Sequence, residues 1–245
     1  MTRDQLLASS FLELADTTDD GFDVLDFLHR LVDRARQLSG AVAGGLILVD
    51  PRGEPRLVAS STHDAALLEL FAIAVEEGPC VEVARTGDAL VNVAIADARR
   101  RWPRFTDRAE QLGYTRTHVV PMRNRSTHLG ALSLFETRPR DLDDDDLAVL
   151  RALVGVATIG LLHERTPRRR ELVATALQAA LTQRVVLEQA KGVVAELAGI
   201  SPAGAFDLLH AYAVQEGIPL GTVGQYVLDR SAHLDAMLQA PRPHP

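Results

Sequence analysis

Hydrophobic positions in the first 165 residues switch between helical and strand spacing. Apolar residues separated by three and four positions predict two amphipathic helices, over residues 7–14 and 25–35. A β-type run then covers residues 42–49 and ends at the turn sequence Asp-Pro-Arg-Gly, which predicts a strand with a hairpin partner at residues 56–60. The chain therefore begins with helices and continues into a sheet.

The same mixture of spacings continues as far as residue 165. It predicts, in order, a helix over residues 64–77, a strand at 89–93, a helix after Pro103 stopped by Gly113, strands at 117–123 and 129–135, and a long helix from the aspartates 143–146 through Leu161. This order is typical of an α+β fold in which helices flank an antiparallel sheet.

The last third of the chain loses the strand pattern. An Ala-rich helix is predicted over residues 171–197, stopped by Gly199, and Ser201-Pro202 can cap and open a second helix that runs to Gly217. A third helix is predicted from Pro219 to about Leu238. We therefore expect a first domain over residues 1–165, a long connecting helix with a three-helix domain over residues 166–240, and a frayed tail over residues 241–245.

Composition and charge narrow the class of protein. Cys80 is the single cysteine, so the sequence predicts neither an internal disulfide nor a multi-cysteine metal site. The N-terminus lacks the apolar core of a signal peptide, and no segment approaches the roughly 18 apolar residues of a membrane span, so we expect a cytoplasmic protein without membrane contact. The first 165 residues carry the whole net charge of −7, whereas the remainder is neutral, which excludes a broadly basic nucleic-acid binder.

Two groups of motifs resemble known families. Residues 76–80 (EEGPC), 84–87 (ARTG), 101–105 (RWPRF) and 129–135 (LGALSLF) resemble the GAF domains of actinobacterial regulators, which have a PAS-like fold. Residues 184–194 (RVVLEQAKGVV) resemble the opening of an ANTAR domain, and residues 201–206, 209–213 and 220–227 match its later segments. The resemblance implies that the back domain binds RNA, typically a pair of short hairpins whose formation prevents a transcription terminator from folding. It implies that the front domain senses a small ligand, a redox state or a partner.

The candidate RNA-binding residues lie mainly on the predicted helix before Gly199. Arg184, Glu188 and Lys191 are four and three positions apart and so share a helix face, with Gln189 on its flank. Ala190 and Gly192 are small enough to let RNA or a neighbouring helix approach, Tyr212 can stack on a base, and Gln225 can bond a base edge. Alternatives stay open: an ordinary ion-pair ladder for the charged residues, helix packing for the small ones and a core position for Tyr212.

Lys191 is the only lysine of the chain, which suggests a role that arginine cannot fill. At position 224 the ANTAR family usually has alanine, so Gly224 is expected to loosen the third helix.

The candidate sensor residue is Cys80. It follows Gly-Pro at a predicted helix N-terminus, where the helix dipole can lower the pKa of a thiol and allow a redox switch. The alternative is a buried residue beside a fixed turn. The histidines at 63, 118 and 128 have no metal-ligand spacing, and the aspartates at 141–146 lack the glycine and glutamate of a calcium loop, so we predict neither a metal nor a cofactor.

The sequence therefore predicts a signal-responsive regulator that acts by transcription antitermination, and no recognised catalytic motif indicates an enzyme. A homodimer is expected through the long apolar-striped helix, on Leu150, Val154, Ala157 and Leu161. One alternative is a ligand or redox sensor whose helical domain makes only protein contacts. A second is a DNA-binding regulator, which the weakly basic second and third helices argue against.

Overall fold

The computed structural model of the chain describes residues 2–15, 24–50, 52–124, 127–163, 185–216, 218 and 220–239. The chain divides into two compact units, Met1–Leu177 and Gln178–Pro245. Arg184 and the tail at 241–245 lie outside the described residues, as does the predicted helix before Val185.

The predicted helices and strands of the first unit are present in the predicted order, and two further elements stand among them: a helix that begins beside Cys80, whose extent was not predicted, and a short 3₁₀ helix. In chain order, the elements are α1 (Arg3–Ala15), α2 (Val24–Ser39), β1 (Ala43–Val49), β2 (Pro55–Ser60), α3 (His63–Val75), α4 (Pro79–Thr86), β3 (Leu90–Ala94), a short 3₁₀ helix (Ala96–Arg100), α5 (Pro103–Gln111), β4 (Arg116–Asn124), β5 (Thr127–Glu136) and α6 (Asp144–His163). Each strand lies within two residues of its predicted limits, so the α+β prediction is confirmed.

The five strands form one antiparallel sheet in the order β2-β1-β5-β4-β3. The last strand along the chain, β5, lies at its centre between β1 and β4, with Leu132 opposite both Leu46 and Val120. Gly130 makes the β1–β5 pairing possible, because a Cβ there would lie 1.9 Å from the carbonyl oxygen of Ile47. The β1–β2 and β4–β5 hairpins therefore lie at the same end of the sheet.

Helices cover both faces of this sheet. On one face α3, α4 and α5 enclose an apolar core around Leu68, Phe105 and Phe135. On the other face α6 contacts β4, α1 and α2. The apolar core between the sheet and α3, α4 and α5 holds α4 in place, and α4 lines the cleft described below.

The dimer interface predicted on α6 is corrected by this packing. Leu150, Val154 and Ala157 are at most 2% exposed, because they face the core of their own domain, and Leu161 is half-buried. Leu150, Val154 and Ala157 are therefore part of the domain's own core and are not available for a contact between two copies.

The second unit is helical throughout its described residues. It contains α7 (described over Val185–Ala198), α8 (Pro202–Glu216), α9 (Leu220–Leu228) and α10 (Ala232–Gln239). The cap predicted at Ser201-Pro202 is confirmed, since the Ser201 hydroxyl oxygen accepts the backbone N–H of Gly204 at 3.1 Å. Apolar side chains of all four helices form one small core, including Val194, Leu209, Val223 and Met237.

The single third helix predicted for this unit is wrong, because the chain breaks between α9 and α10. Arg230 adopts the left-handed conformation with φ 50°. Its N–H donates to the carbonyl of Val227 at 3.2 Å, and the N–H of Ser231 donates to that of Tyr226 at 3.0 Å. This is the bonding of a Schellman helix end, here formed without the usual glycine.

Candidate functional site

The outer face of α7 is the first candidate surface. Val185, Glu188, Gln189, Gly192 and Glu196 are exposed and recur at intervals of three and four positions, so they share one side of the helix. We refer to these five residues as the α7 face. Three of the predicted RNA-binding residues lie on it: Glu188, Gln189 and Gly192.

Lys191 does not present its charge to solvent. Its side chain is only 3% exposed, and its ammonium group donates to the Oε2 atom of Glu188 at 2.7 Å, whereas the Glu188 side chain is 54% exposed. The shared face predicted for Glu188 and Lys191 is therefore half correct: the two residues form an ion pair, but its acidic member is the accessible one.

The two small residues of α7 have different surroundings. Ala190 is fully buried in the helical core, which corrects its assignment as a place where RNA approaches. Gly192 is exposed, and a Cβ built on it would lie more than 4 Å from every described heavy atom outside its chain neighbours and the backbone of its own helix. The packing of the domain therefore explains the small size of Ala190, but it does not require a glycine at 192.

Gly224 belongs to the contact between α7 and α9. A Cβ at this buried position would lie 3.2 Å from Cγ1 of Val186 and 3.8 Å from Cβ of Ala190. The missing side chain thus lets the two helices approach closely. The structure thus adds a packing role for Gly224, and the loosening of the helix stays a prediction.

The aromatic residues of the second unit are arranged around His233. Tyr212 is 8% exposed and its hydroxyl lies 3.0 Å from Nδ1 of His233, so its ring is in the core and does not offer a stacking surface. The ring of Tyr226 stacks on His233 at 4.4 Å between centroids. Sequence reasoning did not select His233, because it did not predict the break that places α10 beside α9.

Gln225 is exposed on α9, as its assignment to RNA requires. Its Nε2 atom donates to Oδ1 of Asp229 at 2.9 Å, one turn further along the chain. The amide oxygen is the end of Gln225 that this bond leaves for an external donor.

A cleft of about 720 Å³ is the candidate sensor site of the first unit. It is lined by the β1–β2 hairpin, the end of α3, α4 and the β4–β5 hairpin, and this volume suits a small-molecule ligand. Its charged lining residues have both signs: Glu54, Glu76, Arg85 and Arg123. A ligand that combines a positive and a negative group would match such a lining.

His128 is the polar group most firmly held in this cleft. Its Nδ1 atom lies 3.0 Å from the carbonyl oxygen of Ala84, so Nδ1 carries the proton and donates it. The other ring nitrogen, Nε2, is buried without a partner among the described residues. In this tautomer Nε2 is an acceptor.

Cys80 is 1% exposed, at the second residue of α4. Burial raises the pKa of its thiol well above the usual range, and the nearby carboxyl of Glu69 raises it further. The predicted lowering of this pKa by the helix dipole is therefore wrong, because loss of solvent and a neighbouring acid outweigh the dipole. A buried thiol with a raised pKa is unreactive in the folded domain.

Glu69 is a buried acid that sequence reasoning missed. Its side chain is fully buried, and neither carboxylate oxygen has a hydrogen-bond partner among the described residues. Burial raises its pKa, although Cys80 and Ser133, which lie beside it without reaching hydrogen-bond geometry, oppose the shift. Gly45 makes room for it, since a Cβ there would lie 2.8 Å from Cγ of Glu69. The available signal was a glutamate inside the otherwise apolar run of α3.

His118 has a structural position on the opposite side of the sheet. It is fully buried, its Nδ1 accepts the backbone N–H of Asn92 at 3.0 Å, and burial lowers its pKa to about 4. The Asn92 amide in turn bonds both backbone groups of Leu142, at 3.0 and 2.8 Å, just before α6. The neutral imidazole thus helps to fix the start of α6 to the sheet edge.

Within the residues that the structure describes, no group of three or more His, Cys, Asp or Glu side chains could hold a metal ion. No single helix there is long and apolar enough to cross a membrane, although the bent pair formed by α7 and α8 as far as Ala213 passes on length and composition.

In comparisons with known proteins, one family model matches residues of the first unit and a second model matches residues of the second. The family model for the GAF domain matches residues 23–161, and that for the ANTAR domain matches residues 175–228. No curated protein matches the chain. A solved GAF domain of a phosphoenolpyruvate-protein phosphotransferase from Coxiella burnetii is 17% identical, with a TM-score of 0.52, and covers 66% of this chain and 94% of its own.

A second solved structure is a GAF domain/HD domain protein from Geobacter sulfurreducens. It is 19% identical, with a TM-score of 0.50, and covers 61% of this chain and 99% of its own. At these identities the likeness shows the fold alone.

Proposed function

Because the chain belongs to the GAF domain family and carries an ANTAR domain behind it, we propose that it is a signal-responsive regulator that binds paired RNA hairpins of a nascent transcript and so prevents terminator formation. ANTAR domains are RNA-binding antitermination modules, and GAF domains sense signals. The proposal assigns these two activities to the second and first units, in the cytoplasm where transcription occurs, and includes no catalytic step.

The observation that carries the RNA proposal is the α7 face. It lies inside the matched ANTAR segment, offers the amide of Gln189 and the carboxylate of Glu188, and has open space at Gly192. Accessible side chains with donors and acceptors suit the unpaired bases of RNA loops, which proteins read by hydrogen bonds at the base edges. Gln225 is a second exposed amide for the same task.

The cleft around His128 supports the sensor part of the proposal. We assign it to a small molecule and not to a redox signal, because the only cysteine is buried and its thiol pKa is raised. A homodimer would let two ANTAR units hold the two hairpins at once, so that binding of the first hairpin raises the effective concentration of the second.

A second candidate is a sensor whose helical unit contacts another protein. Val185 and Leu197 on α7 favour it, because these large apolar side chains are 57% and 58% exposed. Exposed apolar side chains on one helix are common at protein interfaces.

Binding to RNA separates the two candidates. We would titrate the full chain into a labelled dual-hairpin RNA, with a loop-scrambled RNA and a DNA of the same sequence as controls. Selective binding of the dual hairpin that is weakened by Gln189→Ala, but not by Gln215→Ala on α8, is the expected result. Equal affinity for all three nucleic acids, or no binding with and without added small molecules, would favour the protein-contact candidate. Sedimentation of the free protein and the complex tests the homodimer.

A further inference from the structure

The charge on the α7 face is opposite to that expected of a surface that binds phosphates. Two of its five residues, Glu188 and Glu196, are acidic, and none is basic. Cations supply most of the electrostatic affinity for phosphates, since they replace the counterions of the nucleic acid. If RNA binds here, which is the proposed function, the five residues of the α7 face offer no cation to a phosphate and are better suited to the edges of the bases.

Lys191 cannot supply the missing cation from its observed position. With 3% of its side chain exposed, its ammonium group is directed to Glu188 and not to solvent. A buried ammonium group needs a close acceptor, because an unpaired charge in a protein interior is strongly destabilising. The Glu188 carboxylate supplies that acceptor at 2.7 Å.

The pair has a consequence for the accessible partner. One oxygen of Glu188 is fixed by Lys191, so the carboxylate is held in one orientation before any ligand binds. The side chain is still 54% exposed. Glu188 therefore offers a restrained carboxylate oxygen next to the amide of Gln189 and the open space at Gly192.

We infer that Glu188, positioned by Lys191, is a base-reading residue that accepts a hydrogen bond from the exocyclic amino group of an unpaired RNA base, and that Lys191 does not contact the RNA backbone. Carboxylates accept from the amino groups of bases, of which cytosine is the clearest case, and are repelled by phosphates. Uracil has no exocyclic amino group, so it cannot replace the recognised base. Gly192 provides the clearance that lets a base reach the helix.

The test changes the RNA and the protein in parallel. Full-length protein would be used to select dual hairpins from a pool with randomised loops. In the best-bound RNA, each loop base would then lose its amino group in turn: cytidine to uridine, adenosine to purine riboside, guanosine to inosine. We expect one position at which this loss weakens binding about 5- to 100-fold. Because the RNA change leaves the protein intact, this measurement does not depend on how a variant folds.

Glu188→Ala, which removes both acceptor oxygens, should abolish the discrimination at that position, whereas Glu196→Ala, which makes the same change on the same face, should leave it unchanged. Lys191→Met should weaken binding while the slope of log affinity against log salt stays as in the wild type. A slope lowered by about one would mean that Lys191 binds a phosphate and would overturn the assignment. Unchanged discrimination in Glu188→Ala would overturn it as well. If the selection yields no bound RNA, the proposed function itself fails.

Discussion

Gly192 provides the sharpest test of where a partner approaches the second unit. It lies inside α7 and is exposed, and outside its own helix backbone and chain neighbours no described heavy atom lies within 4 Å of the position that a Cβ would take. Replacing it with alanine adds a methyl group to open space. Glycine in a helix interior is less favourable than alanine by about 0.8–1 kcal/mol, so Gly192→Ala should stabilise the unit by about that amount. For a small domain this raises the Tm by about 4–8 °C.

RNA affinity should move in the opposite direction. If a base or the RNA backbone packs against Gly192, the added methyl group enters an occupied volume. Forcing one extra methyl group into a packed contact costs about 1–3 kcal/mol. This corresponds to about a 5- to 150-fold higher Kd. A variant that is more stable and yet binds more weakly cannot owe its defect to unfolding.

Calorimetry of the full chain and titration of the dual-hairpin RNA give the two quantities. Gly155→Ala is the matched control, because Gly155 lies in α6 and also has no heavy atom within 4 Å of its Cβ position. It should stabilise the first unit by a similar amount and leave RNA affinity unchanged. Wild-type affinity in a stabilised Gly192→Ala protein would refute an RNA contact at this position. A lower Tm would refute the assignment of open space.

Three further predictions concern the first unit. Because the pKa of Glu69 is raised in the folded state, its stabilising contribution is present below pH 4.5 and is lost as the pH rises through the folded pKa. Urea unfolding at several pH values should show that Glu69→Gln removes this loss. An unchanged dependence of stability on pH in Glu69→Gln would contradict the prediction. Burial lowers the pKa of His118 from 6.5 to about 4, so the folded state should lose roughly 2–3 kcal/mol of stability between pH 7.5 and pH 4.5. In His118→Asn, whose amide oxygen can still accept the Asn92 N–H, that loss should disappear from the same unfolding curves; an equal loss would show that another group titrates. Cys80 should resist iodoacetamide in the native protein and react fully in denaturant, whereas rapid native labelling would restore the redox hypothesis.

Sequence patterns predicted the sheet well, because each strand is a short apolar run bounded by turn residues. The runs around Ile47 and Leu132 are buried on both faces, so they stand out from the flanking polar positions. The break before α10 could not be predicted in this way, since Arg230 closes α9 in a conformation that usually requires glycine. The helical spacing of apolar residues therefore continues past Arg230, although the helix α9 ends there.

The candidate site was less predictable, because periodicity places residues on a face but does not determine how deep that face lies. Glu188 and Lys191 were correctly expected on adjacent turns, yet only packing decides which of the two charges faces the core. Ala190 and Gly192 look alike in the sequence, and the structure separates them completely. Their difference arises from α9, which covers Ala190 at the position of Gly224.

The ion pair on α7 also explains why net charge is a poor guide to the partner of this unit. Residues 166–245 carry equal numbers of acidic and basic side chains, which alone suggests weak attraction to RNA. However, Lys191, the single lysine of the chain, is buried, and its ammonium group forms an ion pair with the carboxylate of Glu188. The α7 face is thus acidic, although residues 166–245 together carry no net charge. Such a surface can still select an RNA loop through the edges of its bases, where donors and acceptors decide recognition and long-range attraction contributes little.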